Sequence, residues 1–295
     1  MLDVRTLSIE HQGITLTASY SPAGGTALLA LHGAAYGIRD YFRYEHLHEV
    51  LPAAGIGVAT FDRRGEGDST GASSRGRFYV QVADAFAVLE ALDAERVGLW
   101  GYSKGSWVGP LAAAASDRVA FLVLIASMGV TPAEQMLYAI GEQMRRGGIN
   151  HAVVTRALAL RQMFEDWVHG RAPERQAKLL AELRSAADEP WWPRAFLLSR
   201  LLNEEERRSW IEEMDFDPRP AFASVRVPTL LFYGEDDAWT PVEPSIEAWR
   251  QAHGDEAEIV VVPDATHELT LPGGILAPAY SRRLVDWLRL RASDV

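Results

Sequence analysis

A serine framed by two glycines is the first feature of this chain that could perform covalent chemistry. Ser103 lies midway between Gly101 and Gly105, directly after the apolar run 97–100 and before a run with helical spacing. Glycines at these positions let a strand and a helix pack closely around a sharp turn, which would project the hydroxyl clear of a sheet. The helix would aim its first amides at a developing negative charge. A glycine-rich turn of purely structural use is the alternative.

An acid and a histidine follow later strands of the chain. A serine hydroxyl is a weak nucleophile at neutral pH and needs a base to take its proton. His267 follows the last apolar run, and the reference pKa of histidine, about 6.5, suits a base. Asp237 follows the preceding run and could orient the imidazole and stabilise the imidazolium. Asp236 or Glu235, turned inward, is the competing acid.

The elements that must position these residues alternate between strands and helices. Polar and apolar residues alternate over 2–20 and are divided by Gly13, which predicts a hairpin or two edge strands. Continuous apolar runs predict strands buried on both faces. The predicted strands are 27–31, 56–61, 97–100, 119–126, 228–233 and 259–262, and the predicted helices between them are 41–54, 78–92, 105–115, 242–252 and 278–291. This pattern predicts an α/β fold with a mostly parallel sheet, helices on both faces and a ligand site at the carboxyl ends of the strands.

The alternation stops between residues 130 and 225. This segment contains helical runs rich in charged residues and no clear buried strand. The runs are 133–146, 152–168, 173–187, 192–202 and 204–214. We therefore predict a core domain of residues 1–129 and 226–295 with a helical insertion, 130–225, placed over the strand ends. Trp191, Trp192 and Trp210 are candidate substrate-binding residues in this insertion. The alternative is that these tryptophans only pack its helices together.

The composition of the chain argues against several classes of function. The length of 295 residues suits one large domain or a domain with an insertion, and the net charge of −11 argues against nucleic-acid binding. The chain has no cysteine, which excludes a thiolate nucleophile and a cysteine-ligated metal. The Gly-rich segment 62–69 matches no nucleotide-binding fingerprint. We predict no cofactor and no metal. No apolar run is long enough for a membrane span or a signal peptide, so a cytoplasmic location is expected.

Taken together, these pieces resemble the α/β-hydrolase superfamily over nearly the whole chain except the insertion. The matching segments are His32-Gly33, 62–69, 101–105, 234–237 with Pro241, and His267. The resemblance implies an eight-stranded sheet, a helical cap after strand six and an esterase-type mechanism. The run 101–114, with Trp107 and Pro110, is similar to bacterial acyl esterases near the dienelactone-hydrolase-like branch.

The resemblance also implies roles for individual residues. It makes Ser103 the nucleophile, Asp237 the orienting acid and His267 the general base and acid. The backbone amides of Ala34 and Lys104 would form the oxyanion hole, with Ala35 as the alternative to Ala34 because this turn lacks a glycine-rich continuation. His32, in the same turn, is interpreted as a structural residue.

These observations predict a serine hydrolase that cleaves a carboxylic ester of a small-molecule acyl substrate through an acyl-enzyme. Peptide, lactone and thioester substrates remain open. The competing hypotheses are a non-hydrolytic enzyme of the same fold, such as a perhydrolase or lyase, and a ligand-binding protein with little turnover, since a fold does not fix function. The sequence leaves the oligomeric state open.

Overall fold

The computed structural model describes residues 4–293, which form two compact units. The first unit contains the described residues up to Gly129, then Pro218–Asp237 and the residues from Val242 onward. The second unit contains Val130–Asp217 and Ala238–Pro241. The second unit begins at residue 130, where the sequence predicts the insertion to begin, but residues 218–225 of the predicted insertion belong to the first unit.

The first unit is built on one eight-stranded sheet. Its strands are β1 Arg5–His11, β2 Ile14–Ser21, β3 Thr26–Leu31, β4 Ile56–Phe61, β5 Arg96–Tyr102, β6 Val119–Ile125, β7 Thr229–Gly234 and β8 Glu258–Val262. They lie in the order β1-β2-β4-β3-β5-β6-β7-β8. The β1–β2 and β2–β4 pairs are antiparallel and the others are parallel. The predicted mostly parallel sheet is therefore confirmed. Residues 2 and 3 of the predicted hairpin lie outside the described residues.

Helices alternate with the strands from β3 onward, as predicted, and five helices lie between β6 and β7. The helices are α1 Glu45–Val50, α2 Phe78–Glu90, α3 Gly105–Ala115, α4 Pro132–Arg146, α5 His151–Val168, α6 Gln176–Ala186, α7 Glu204–Met214, α8 Arg219–Ser224, α9 Val242–His253 and α10 Pro278–Ser293. Helix α8 packs against α3 and α9, which explains why it belongs to the first unit. A short hairpin of β9 Thr270–Leu271 and β10 Ile275–Leu276 was not predicted.

Two predicted helices differ from the observed elements. The helix predicted over 41–54 is divided into α1 and flanking 3-10 turns, Phe42–Tyr44 and Pro52–Ala54. The helix predicted over 192–202 is wrong beyond the 3-10 turn Trp192–Ala195, because Phe196 adopts a left-handed backbone conformation with φ of +49°. A left-handed residue cannot continue a right-handed helix.

Both faces of the sheet are covered by helices. The side chains along each of the strands β3–β6 alternate in direction, so neighbouring residues pack on opposite faces of the sheet. One face forms an apolar cluster with α1 and α10, in which Leu47, Tyr280 and Trp287 are buried. On the other face, Leu122 and Leu124 lie against Gly109 of α3. Apolar runs with no polar alternation are the expected sequence of strands covered on both sides.

The second unit has its own apolar cluster, formed by α4–α7 and the segment 191–197. Helix α4 begins with a capping box of Thr131 and Glu134, and α7 with one of Asn203 and Glu206. These side chains satisfy amides that a helix start leaves unpaired. Within residues 4–293, no helix has the length and apolar character needed to cross a membrane.

Candidate active site

The turn at Ser103 is tight enough to require both neighbouring glycines. Ser103 follows β5 with φ of +52° and donates its backbone N–H to Ile125 O over 2.9 Å. A Cβ atom at Gly101 would lie 2.5 Å from the carbonyl oxygen of Gly105, and one at Gly105 would lie 2.8 Å from that of Leu31. These close approaches are the physical reason for the glycine spacing in the sequence. A non-glycine residue with positive φ is strained, and such strain concentrates at functional sites.

The loops after β7 and β8 are held to each other by their backbones. Asp236 donates its N–H to Ala265 O over 2.9 Å, and a Cβ atom at Gly234 would lie 2.1 Å from Thr266 O. In this arrangement Asp237 is 1% exposed, whereas Asp236 and Glu235 face solvent. The structure thus turns Asp237 inward.

The imidazole of His267 connects the acid to the serine. Its Nδ1 lies 2.8 Å from Asp237 Oδ2 and its Nε2 lies 2.9 Å from Ser103 Oγ. An ionised carboxylate can only accept, so Nδ1 donates its proton to Asp237. Nε2 is then left to accept the hydroxyl proton of Ser103. His267 is only 5% exposed, and burial strengthens such hydrogen bonds. The arrangement can remove the serine proton and return it to a leaving group.

His32 lies in the turn after β3 and is held there by a buried hydrogen bond. Its Nε2 donates to Phe61 O over 2.6 Å. Burial, together with the positive charge of Arg63, lowers the pKa of His32 to about 3. A neutral imidazole whose N–H is committed to a carbonyl has a structural role, which agrees with the interpretation from sequence.

A polar network under the same turn was not found from the sequence. Arg63 is 1% exposed, and its Nη2 donates to Gly33 O over 3.0 Å and to Ala35 O over 3.3 Å. Glu66 accepts the N–H of Gly37 over 2.8 Å. Burial raises the pKa of Glu66, but hydrogen bonds from Arg75 and Gly37 and the charge of Arg63 outweigh it and lower the pKa to about 2. The only sequence signal was the density of charge and glycine in 62–69.

The two predicted oxyanion amides belong to segments that touch. Lys104 directly precedes α3, and Gly105 packs on the backbone of Leu31 and His32, which leads into Ala34. The first turn of α3 therefore lies beside the turn after β3. The side-chain ammonium of Lys104 lies 5.9 Å from the centre of the Phe78 ring.

The three candidate substrate-binding tryptophans take part in the packing of the second unit. Trp191 is 3% exposed within its apolar cluster. Trp192 is half-buried and its ring centre lies 6.2 Å from that of Trp191. Trp210 donates its Nε1–H to Glu165 over 3.0 Å. These contacts favour the packing role that the sequence analysis kept open, most clearly for the buried ring of Trp191. The substrate-binding role of the three tryptophans stays a prediction. Over residues 4–293, no His, Asp and Glu side chains are grouped as a metal site would require.

Comparisons with known sequences find a matching family and a similar protein. The sequence family described as serine aminopeptidase, S33, matches residues 25–271. The chain is also similar to the dihydrolipoyllysine-residue acetyltransferase component of the acetoin cleaving system of Pseudomonas putida, with 29% identity over 273 residues. That match covers 90% of this chain and 64% of the relative, so the chain spans less than two thirds of the relative's length.

Several solved structures share the fold. The esterase Pf2001 of Pyrococcus furiosus has a TM-score of 0.65 at 15% identity, covering 98% of this chain and 91% of that one. The proline iminopeptidase of Mycobacterium smegmatis has a TM-score of 0.64 at 14% identity, covering 98% and 99%. An esterase from Exiguobacterium antarcticum has a TM-score of 0.61 at 18% identity, covering 97% and 100%. At these identities the likeness concerns the fold alone.

Proposed function

Because the chain belongs to the serine aminopeptidase S33 family of α/β-hydrolases, we propose that it is a serine hydrolase that cleaves a carboxylic ester through Ser103, His267 and Asp237. Membership in the family confirms the resemblance to the superfamily, and the coarser assignment, a hydrolase, follows from it. The dienelactone-hydrolase-like branch stays a prediction.

The observation that carries this proposal is the position of His267, within hydrogen-bond distance of both Ser103 Oγ and Asp237 Oδ2. As Ser103 Oγ attacks the ester carbonyl, Nε2 of His267 takes the hydroxyl proton and the imidazole becomes an imidazolium. The buried carboxylate of Asp237 stabilises that cation and keeps the ring in the required tautomer. His267 then gives the proton to the departing alkoxide, leaving an acyl-enzyme.

A second half-reaction, hydrolysis of the acyl-enzyme, releases the carboxylic acid. Water, activated by the neutral His267, attacks the acyl carbonyl, and the same proton path returns Ser103 to its starting state. Negative charge develops on the carbonyl oxygen in both half-reactions. We assign its stabilisation to the backbone amides of Lys104 and Ala34, which require no side chain and no reorganisation.

Hydrolysis of an amide at a peptide N-terminus is the second candidate, and the description of the family favours it. The two reactions share the nucleophile and the base. They differ in the leaving group, because an amine must be protonated before it can depart, whereas an alkoxide departs more readily. We further propose that the second unit selects the substrate as a cap, since it is inserted between β6 and β7.

A matched substrate panel tests these assignments. p-Nitrophenyl esters of increasing acyl length and amino-acid p-nitroanilides are compared for the unaltered protein and for Ser103→Ala. We expect turnover of the esters that disappears in Ser103→Ala. Turnover of the anilides with inert esters would favour the aminopeptidase. Inert esters and anilides with a folded protein would contradict hydrolysis of either class and favour a non-hydrolytic or ligand-binding role.

A further inference from the structure

We infer that Arg63 is a positioning residue that fixes the N–H of Ala34 as the oxyanion donor. This inference rests on the proposed function, and it assigns the donor that the sequence left open between Ala34 and Ala35. It concerns the backbone of 33–37, the turn after β3, which we call the oxyanion turn.

The direction of one peptide group carries the argument. The carbonyl oxygen of Gly33 accepts a hydrogen bond from Arg63 Nη2 over 3.0 Å. In a planar trans peptide the C=O and the following N–H point in opposite directions. The N–H of Ala34, which belongs to the same peptide group as the carbonyl of Gly33, therefore points away from Arg63.

The order of the strands indicates which residue the Ala34 amide faces. Strand β3 lies between β4 and β5 in the sheet. Arg63 follows the end of β4, while Ser103 follows the end of β5. A carbonyl held toward the β4 side thus sends the Ala34 amide toward the β5 side, where the nucleophile stands. Arg63 also holds the carbonyl of Ala35 over 3.3 Å, which orients the amide of Tyr36. The amide of Ala35 belongs to the intervening peptide group, which joins Ala34 to Ala35.

The guanidinium is enclosed by the turn that it orients. Its side chain is 1% exposed. A Cβ atom at Gly37 would lie 2.6 Å from Arg63 Nε, and Arg63 donates its own backbone N–H to Gly37 O over 2.7 Å. Nη1 lies 3.4 Å from a carboxylate oxygen of Glu66, which keeps the buried charge paired. A hydrogen bond from a cation to a carbonyl is stronger than a neutral one and polarises the peptide, which makes its N–H a better donor.

The neighbouring Arg64 provides a matched control. Its Nε donates to Asp84 Oδ2 over 3.1 Å, so it anchors a helix residue rather than the oxyanion turn. Both arginines are largely buried and both are ion-paired. Substitution of either one removes a buried guanidinium, but only substitution at position 63 releases the carbonyl of Gly33.

The test compares Arg63→Met, Arg63→Lys and Arg64→Met by steady-state kinetics on a p-nitrophenyl ester and by inhibition with a trifluoromethyl ketone, whose serine adduct carries an oxyanion. For Arg63→Met we expect a loss of kcat of about 100-fold, at the lower end for one oxyanion donor, with KM little changed. The inhibition constant should rise in proportion to the fall in kcat/KM. Arg63→Lys keeps the charge but not the planar fork, so its loss should be intermediate. Arg64→Met should lower thermal stability and leave kcat and the inhibition constant near those of the unaltered protein.

Crystal structures of the unaltered protein and Arg63→Met complete the test, because they report the Gly33–Ala34 peptide directly. We expect this peptide to turn when Arg63 is replaced. An unchanged peptide, an unchanged kcat, or equal kinetic losses in Arg63→Met and Arg64→Met would overturn the inference. If the unaltered protein neither hydrolysed the ester nor bound the ketone, the proposed function would fail. The crystal comparison would still decide whether Arg63 orients the turn.

Discussion

Buried charged side chains hydrogen-bond to different kinds of segment in the two units. In the first unit, Arg63 and Asp237 lie at the carboxyl ends of β4 and β7, and each contacts a loop that carries a candidate catalytic group. In the second unit, Arg161 and Glu165 lie within α5, paired over 2.9 Å and each no more than 4% exposed. Arg161 donates to Phe196 O and Glu165 accepts from Trp210.

This difference predicts whether substitution of a buried charged residue should lower the catalytic rate or the stability of the protein. A buried charge is costly unless it is paired, so each of these residues must be retained for some benefit. At the strand ends the benefit is the geometry of the reacting groups, and loss of a charge should appear in the rate. Inside α5 the benefit is the docking of a coil segment and of α7, and loss of a charge should appear in stability.

The largest effect is expected at Asp237. Asp237→Asn leaves an amide that favours the wrong tautomer of His267, and a comparable substitution in a serine protease lowers kcat roughly 10⁴-fold. Asp236→Asn is the matched control, because the neighbouring carboxylate faces solvent. The two variants are compared by kcat on one ester. A larger loss in Asp236→Asn would reverse the assignment of the acid.

The second unit should respond through stability. Arg161→Met leaves Glu165 buried without its cation, which costs about 3–5 kcal/mol in comparable cases. The control is Arg156→Met, because Arg156 is 41% exposed and pairs with Glu182 and Glu189 at the surface, where an ion pair contributes about 0–1 kcal/mol. Denaturant unfolding compares the two variants, with kcat measured under native conditions. Equal losses of stability, or a loss of kcat confined to Arg161→Met, would break the distinction between the units.

Acid should destabilise the first unit through His32. Burial lowers the pKa of His32 from 6.5 to about 3 in the folded protein, so between pH 6.5 and 3 the unfolded chain binds more protons than the folded protein. Stability is therefore expected to fall as the pH drops from 6.5 toward 3, by up to about 1.4 kcal/mol per pH unit. His32→Gln keeps an N–H for Phe61 O and removes the contribution of His32 to this dependence.

The measurement is the free energy of unfolding at several pH values in that window. His46, whose pKa burial lowers to about 4, provides a second buried histidine, and His46→Gln is the matched variant. A pH dependence in His32→Gln as steep as that of the unaltered protein would remove His32 from the account.

The smallest effect is expected at the tryptophans. Trp192 is half-buried, so Trp192→Ala tests whether the second unit selects the substrate. We expect it to change the preference between short and long acyl esters by about tenfold, the scale of a small apolar contact. Trp191→Phe, at a buried ring, should lower stability and leave this preference unchanged. Equal losses on every ester in Trp192→Ala would instead indicate a structural role.

The sequence predicted what depends on neighbouring residues. The turn at Ser103 could be found because the close packing of its strand and helix requires glycine at two fixed positions, 101 and 105. The strands could be found because burial on both faces demands continuous apolar runs. The sequence favoured Asp237 as the acid but kept Asp236 and Glu235 as alternatives, since the direction of these side chains depends on backbone hydrogen bonds between the loops after β7 and β8.

Contacts between distant residues that belong to no recognisable motif could not be predicted. Arg63 reaches the carbonyl of Gly33 across 30 positions of the chain, and nothing in the local pattern indicates such a contact. The helix predicted over 192–202 fails for a similar reason. Its spacing suits a helix, but the left-handed Phe196 interrupts it, and the carbonyl of Phe196 accepts from Arg161, 35 positions away. The sequence likewise predicts residues 238–241 in the core domain, because they follow β7 directly, although they belong to the second unit.

Labelling by a fluorophosphonate probe tests the central claim most directly, because the probe reacts with a serine only when a base activates it. We predict a single adduct, located at Ser103 by peptide mass spectrometry. We expect Ser103→Ala to show no adduct and an unchanged melting temperature. An adduct on another residue, or one that persists in Ser103→Ala, would contradict the assignment of Ser103 as the nucleophile.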